Sequence, residues 1–356
     1  MTTTLQNEPS APAEEPLEAA QLPRLISWYV LGGAVVVSGA LTLLLGWNLA
    51  AFGVVAVILY LIAIYVLSRV VEGRRKATNR LMTGLVTTAF ILALLPLVAV
   101  VWTVVSNGWS VMSAEFFTSS MRNVIGEGGG IYHAIWGTLI ITGLATVISV
   151  PIGLMTGIYL VEYGRGALVR QITFLVDVMT GIPSIVAGLF AYALFELFFG
   201  PGIRMGIGGA VALSLLMTPI IVRSTEEMLK LVPDELREAS LALGVPKWRT
   251  IVKVVLPTAI AGIITGITIG IARVIGETAP LLIIAGSTDS VNFNPFSEQM
   301  MTLPVFTYFS YKQPGVPPEY GIDRAWGAAF VLILIVLVLN LVARLVSYWF
   351  SPKVKS

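Results

Sequence analysis

The sequence predicts an all-α polytopic membrane protein with about eight transmembrane helices, and three observations carry that prediction. Hydrophobic residues make up 56% of the 356 residues and charged ones only 12%, whereas a soluble domain carries about 25% charge. Mean hydropathy is +0.87. Eight apolar stretches approach the roughly 20 residues that a helix needs to cross a bilayer core.

The first 22 residues are rich in Pro, Glu, Ala and Thr and lack a basic segment leading into a short apolar core. They read as a disordered cytoplasmic tail rather than a signal peptide. Spans are expected at about 26–46, 48–68, 83–105, 134–161, 172–199, 207–222, 258–286 and 327–350. Trp28, Trp47, Trp102, Trp136, Trp326 and Trp349 fall near their ends, as an interfacial aromatic belt requires. A basic linker at 69–82 closes an N-terminal hairpin region over 23–82, ahead of a six-span body over 83–350 and a short cytoplasmic tail over 351–356.

Lys and Arg collect on cytoplasmic loops, so their distribution sets the orientation. With the N-terminus inside, the inner segments hold Arg24, Arg69, Arg74, Arg75, Lys76, Arg80, Arg165, Arg170, Arg223, Lys230, Arg237, Lys247, Arg249, Lys253, Lys353 and Lys355, against Arg122, Arg204, Lys312 and Arg324 outside. That imbalance predicts both termini in the cytoplasm. The loop 223–257 then lies on the same side as ATP.

Several function classes are excluded early. A net charge of +2 leaves no basic face for nucleic acid. With no Cys and a single His, His133, thiolate metal sites, thiol nucleophiles and His-based triads are not expected, and His133 itself reads as a solvated loop residue at the outer end of a span. No G-x-x-x-x-G-K-[ST] loop occurs; Gly126-Glu127-Gly128-Gly129-Gly130 lacks the Lys and falls on the outer side, so the chain is expected not to hydrolyse ATP.

Between Arg223 and Pro257, charges alternate with apolar residues, which does not suit lipid. Pro233, Asp234 and Glu235 mark a helix start, while Gly244 followed by Pro246 marks its stop, predicting a helix over 234–243. Such a helix is about 15 Å long, and Leu236, Ala239 and Leu243 fall on one stripe of it. Its shape suits a groove on another protein.

Glu238-Ala239-Ser240, Gly244 and Val254-Val255-Leu256-Pro257 together resemble the E-A-A-x-x-x-G-x9-I-x-L-P loop of ATP-binding-cassette importer permeases, with Ser240 in place of Ala and Val254 in place of Ile. The resemblance implies that this helix is a coupling helix seated on an ATPase subunit. Transmission of that kind needs a stiff element and a sharp turn, with no chemistry of its own.

The following span carries Arg273 one residue from its midpoint, and Glu277 a turn later. A charge at that depth costs at least about 2.5–3.5 kcal/mol facing lipid, so both must face protein or water. At 100° per residue Gly262, Gly266, Gly270, Arg273 and Glu277 share one stripe, with Thr278 beside it and Pro280 expected to bend the helix beyond. Two readings stand. One is a buried ion pair with the glycines as packing surface; the other is a cationic contact for a passing anion, for which the planar Arg fork is suited.

In span 172–199, Thr180 and Ser184 flank Pro183 and are read first as partners for backbone groups freed by the proline, second as ligands of an anion. Asp177 repels an anion and is expected to pair with a basic loop. Arg223 is a candidate exit contact, though an interfacial positive-inside residue is the simpler reading. The outer loop 287–325 is dominated by turn residues, including Asn292-Phe293-Asn294-Pro295 and Pro314-Gly315-Val316-Pro317-Pro318.

The string from Gly270 to Leu282, with its core Arg273-Val274-Ile275-Gly276-Glu277-Thr278-Ala279-Pro280-Leu281-Leu282, resembles the signature of PstA-type phosphate permeases, and Gly181-Ile182-Pro183-Ser184-Ile185-Val186-Ala187-Gly188-Leu189-Phe190 matches a second pattern of that family. The likeness covers about 83–350. It implies a type I importer permease core of six helices, MetI-like, that translocates inorganic phosphate by alternating access. It further implies a PstC-like second permease, two PstB-like ATPase subunits that hold the ATP and Mg, and a PstS-like extracytoplasmic phosphate-binding protein. No cofactor is expected on this chain itself. The two extra N-terminal spans depart from the family core and inherit no role from it. Rival readings are a permease for molybdate or sulfate, and an ATP-independent secondary transporter, against which the docking motif speaks.

Overall fold

The computed structural model describes residues 22–350 except Arg24 and Trp47. Of the tails expected at 1–22 and 351–356, residues 1–21 and 351–356 lie outside the described residues, as do Arg24 and Trp47. Among these residues all regular structure is helical, and contacts divide the chain into a unit ending at Val101 and a second beginning at Trp102.

In the first unit, α1 (Ile26–Leu45) and α2 (Leu49–Val71) form a hairpin. Asn48 caps α2 by accepting from the Ala51 amide at 2.9 Å, and the Ser38 hydroxyl donates to the Phe52 carbonyl at 2.7 Å. The third helix, α3 (Arg74–Trp109), starts within the stretch expected as a linker. Only Glu72 and Gly73 interrupt the helices there, because the basic residues that follow are sound helix formers.

Glu72 ties this unit together. Its carboxylate accepts from Arg80 Nε at 2.7 Å and Nη2 at 2.9 Å, from the Ser68 hydroxyl at 2.7 Å and from the Leu22 amide at 3.0 Å. The side chain is only 2% exposed, and the Arg80 hydrogen bonds, overcoming its burial, hold the carboxyl down at about 2. A carboxylate that collects several donors must be ionised to do so.

The second unit continues with α4 (Ala114–Thr118), then α5 (Tyr132–Ile158) prolonged by a π-helical turn at Tyr159–Tyr163. Next come α6 (Ala167–Thr180), α7 (Ser184–Phe199), α8 (Gly206–Lys230), α9 (Asp234–Ala242) and α10 (Lys247–Thr250). A second π-helical turn at Ile251–Val255 leads into α11 (Leu256–Val274), followed by α12 (Ala279–Ile284), α13 (Leu303–Lys312) and α14 (Pro318–Phe350). By length and composition seven helices among the described residues are able to cross a membrane, and the pair α6 and α7, bent by 108°, makes an eighth if counted as one span.

At the centre of this unit lies α8, with 61% of its apolar window buried. Small residues let its neighbours close on it. A Cβ on Gly153 or Gly157 of α5 would come within 2.7 Å of Ile221 or Thr225, and Gly262 and Gly266 of α11 stand against Met228 and Ser224. Most other apolar side chains on the outer helices are exposed within the chain, as surfaces facing lipid or a partner chain must be.

Five expectations are corrected. Span 172–199 is broken, because Pro183 lacks the N–H that would reach the Met179 carbonyl and its ring clashes there. Span 258–286 ends as a continuous helix at Val274, so Arg273 sits in a last turn rather than at a midpoint, and Pro280 opens α12 instead of bending a longer helix. Residues 223–230, assigned to the loop, continue α8, and the outer loop contains α13, whose Leu303 amide donates to the Thr138 hydroxyl at 2.8 Å. His133 is not solvated: it is 2% exposed in the first turn of α5, edge-on to Phe306 at 5.5 Å.

The Glu72 cluster makes a pH prediction. Its folded carboxyl lies below the ordinary 4.5, so its stabilisation is complete above that pH and drains away as pH falls toward 2. Thermal unfolding of the purified protein with Glu72→Gln should begin from a lower midpoint at neutral pH. Its midpoint should also fall less than that of the parent between pH 5 and pH 3; equal acid sensitivity would remove Glu72 as a determinant.

Candidate functional site

The polar segment after α8 builds a rigid protrusion. Pro233 precedes α9, with Asp234 and Glu235 in its first turn where they offset the helix dipole. It ends at Ala242, one residue short of the predicted stop, and Gly244 takes the left-handed conformation at φ +76° that reverses the chain. The Ser240 hydroxyl, buried, meets the Thr250 hydroxyl at 2.8 Å, locking α9 to α10. Ala at that position would lose this link. Glu238, Ala239 and the apolar Leu236, Leu241, Leu243 and Trp248 face outward, Leu243 at 83% exposure. Leu256 packs into a cluster with Leu229 and Val255, and Pro257 stands where the π-helical turn passes into α11.

Arg237, in sequence one charge among many in this loop, anchors the protrusion. Its guanidinium reaches Glu162 Oε1 through Nε at 3.0 Å and Nη2 at 2.9 Å, the Val232 carbonyl at 2.6 Å, the Leu229 carbonyl at 2.8 Å and Asp234 Oδ1 at 3.1 Å. The side chain of Glu162 is 6% exposed. Lys247 adds a hydrogen bond to the Glu162 carbonyl and lies over the Tyr163 ring at 5.1 Å. A lone acid at the end of a span, with a cation in a later loop, was the available signal.

The other candidate site is the break between α11 and α12. Pro280 cannot donate to the Gly276 carbonyl and its ring would strike it, so the helix cannot run through 276–280. Arg273 in the last turn of α11 pairs with Glu277 in the break, and a cation there also suits the helix C-terminus. The glycines pack on α8, as the structural reading expected, while the Arg273 side chain stays 56% exposed and Glu277 only 11%. Glu277 is its only hydrogen-bond partner among the described residues, which leaves most of the fork open. Thr278 stands at the N-cap of α12 without a side-chain capping bond.

Around the other break, the Thr180 hydroxyl donates to the Val176 carbonyl one turn back in α6 at 2.9 Å, not to a group freed by Pro183, and Ser184 begins α7. Arg223 is held between Asp177 of α6 and Glu226, at 2.8 Å from the latter, so its guanidinium is committed to carboxylates and joins α6 to α8. Asp177 thus pairs with a helix residue rather than a loop. No hydrogen bond among the described residues joins Arg273 to Thr180, Ser184 or Arg223. The two sequence signatures do meet: a Cβ on Gly188 of α7 would lie 2.5 Å from Cα of Pro280 in α12, which is wedged between α7 and α8.

The sequence profile of the binding-protein-dependent transport system inner membrane components matches residues 149–356, and the phosphate transport system permease protein PstA 1 of Mycobacterium tuberculosis is 48% identical over 77% of this chain and 90% of its own length. The chain belongs to the PstA branch of that family. Within the same branch, PstA of Haemophilus influenzae is 40% identical over 76% of this chain and 94% of its own. The fold is that of these permeases in solved form too: a chain of the MetNI methionine ABC transporter, in an inward-facing conformation, covers 62% of this chain and 96% of its own at TM-score 0.51 and 20% identity.

The Gly188–Pro280 approach tolerates no side chain. Gly188→Val should destabilise the protein by about 1–3 kcal/mol or more through overpacking, read as lower membrane yield and melting temperature. Gly143→Val, which meets nothing within 4 Å, is the matched control and should be neutral.

Proposed function

We propose that this chain is the membrane-spanning permease subunit of an ATP-driven importer that moves inorganic phosphate across the cytoplasmic membrane by alternating access. The likeness to PstA permeases over most of both chains carries the cargo, because those relatives are named for phosphate transport and the G-E-T-A-P-L-L string lies at a break with a half-open arginine. Residues 83–350 form the importer core, and 23–82 is an addition to it. Both termini lie in the cytoplasm, following the Lys and Arg distribution.

In this reading Glu238, Ala239, Ser240, Gly244, Leu256 and Pro257 shape the docking element, and its exposed leucines and Trp248 supply the apolar face for an ATPase groove. Two PstB-like subunits bind the ATP and Mg, a PstC-like permease completes the pathway, and a PstS-like protein delivers phosphate from outside. Arg273 offers paired donors to the oxyanion, with Thr278 and Ser184 as further hydroxyl candidates. Glu277 competes with phosphate for the same fork, and that competition keeps binding weak enough for release. Thr180 and Arg223 hold the helices that frame the path.

Reconstituting the complex with its own partner subunits in lipid, and supplying phosphate, sulfate or molybdate with ATP, tests the cargo. Phosphate uptake is expected; uptake of sulfate or molybdate alone would sink the assignment. For the contact, Arg273→Gln should cut phosphate uptake at least about tenfold at normal membrane levels, the scale of one lost charged hydrogen bond. If instead assembly fails in Arg273→Gln and returns in the double variant with Glu277→Gln, the pair is structural.

A further inference from the structure

We infer that Arg237 is the positioning residue through which the docking element drives the membrane helices. This rests on the proposed docking role of α9 and names the part that transmits its motion. The exposed face of α9 and α10 contacts whatever lies beyond the protein, but a surface moves helices only if it is fixed to them. Chain connectivity fixes α9 to α8 through Leu231–Pro233 and α10 to α11 through the π-helical turn. Neither connection joins α9 or α10 to α5, which meets them through its packing on α8.

Arg237 supplies a direct polar tie from α9 to the end of α5. Its side chain is 16% exposed, and its three nitrogens span three elements at once: Glu162 in the π-helical turn that ends α5, the Leu229 and Val232 carbonyls at the end of α8 and just beyond it, and Asp234 in α9 itself. The Leu229 carbonyl is one of the last of α8 and Val232 lies in the linker just beyond it, so Arg237 also ties down the end of α8 and its exit turn. Lys247 grips the same α5 turn from α10. Above this clamp, Gly153 and Gly157 seat α5 directly on Ile221 and Thr225 of α8. A displacement of α9 therefore moves α5 and α8 as one body, while α11 follows through its own turn.

Geometry separates the two jobs of α9. The docking side chains Leu236, Leu241, Leu243 and Trp248 point out, whereas Arg237 points in, so Arg237 can be changed with the docking face intact. Lysine keeps the charge but replaces a planar fork by one point donor group, and it cannot bridge Glu162 and both carbonyls together.

The test measures oxyanion uptake and ATP hydrolysis in the same reconstituted complex, with whichever oxyanion the parent complex transports. Arg237→Gln is expected to assemble with its partners and to hydrolyse ATP within about twofold of the parent, while transport per ATP falls at least tenfold. Arg237→Lys should fall in between. Glu162→Gln, which leaves the Leu229 and Val232 carbonyls bonded, should lower the same ratio and keep assembly. An unchanged ratio in Arg237→Gln and Glu162→Gln overturns the inference, as does loss of assembly in Arg237→Gln, Arg237→Lys and Glu162→Gln alike, which would mark a folding contact. If the parent complex assembles and hydrolyses ATP but transports no oxyanion, the proposed function fails, separately from the clamp.

Discussion

Close backbone approach around α8 is the constraint on which the second unit depends. In a membrane, apolar side chains gain little by leaving lipid for protein, so helices associate through packing and through buried polar contacts. Glycines on α5 and α11 let both helices come down onto Ile221, Thr225, Ser224 and Met228 of α8, closer than any Cβ would allow. Three helices so joined have few ways to slide independently. That stiffness turns a push at one end into a movement of the whole group.

Helix breaks do the complementary work. Pro183 and Pro280 each interrupt a stretch that is apolar enough to run straight, and the resulting short helix α12 lies wedged against α7 at Gly188. Irregular backbone at membrane depth is tolerated only when protein or a water-lined path satisfies it. Arg273 and Glu277 sit beside such a break, with the acid sheltered and the guanidinium more than half exposed. Charge placed there is held by a partner yet still presented outward.

Ion pairs are otherwise concentrated at helix ends. Glu72 gathers Arg80, Ser68 and Leu22 at the turn between α2 and α3, Glu226 lies between Arg223 and Lys230, and Glu162 meets Arg237. Each acid is largely buried and each has a cation opposite it, the arrangement that makes burial of a carboxylate affordable. These contacts fix where one helix stops and the next begins.

The sequence by itself determined the class, the rough position of most spans, the α9 helix to within a residue, and the family likeness. These are local properties: apolar length, turn residues and fixed motif spacing. Whether Thr180, Ser184, Arg223 and Arg273 shared one site was not legible, because no local rule says which faces of separate helices meet. Only the tertiary structure decided that His133 is buried, that Arg223 is spoken for by Asp177, that Gly188 receives Pro280, and that Arg237 closes on Glu162. Each of these is a contact between residues far apart in the chain, and such contacts follow from helix packing rather than from any stretch of sequence read alone.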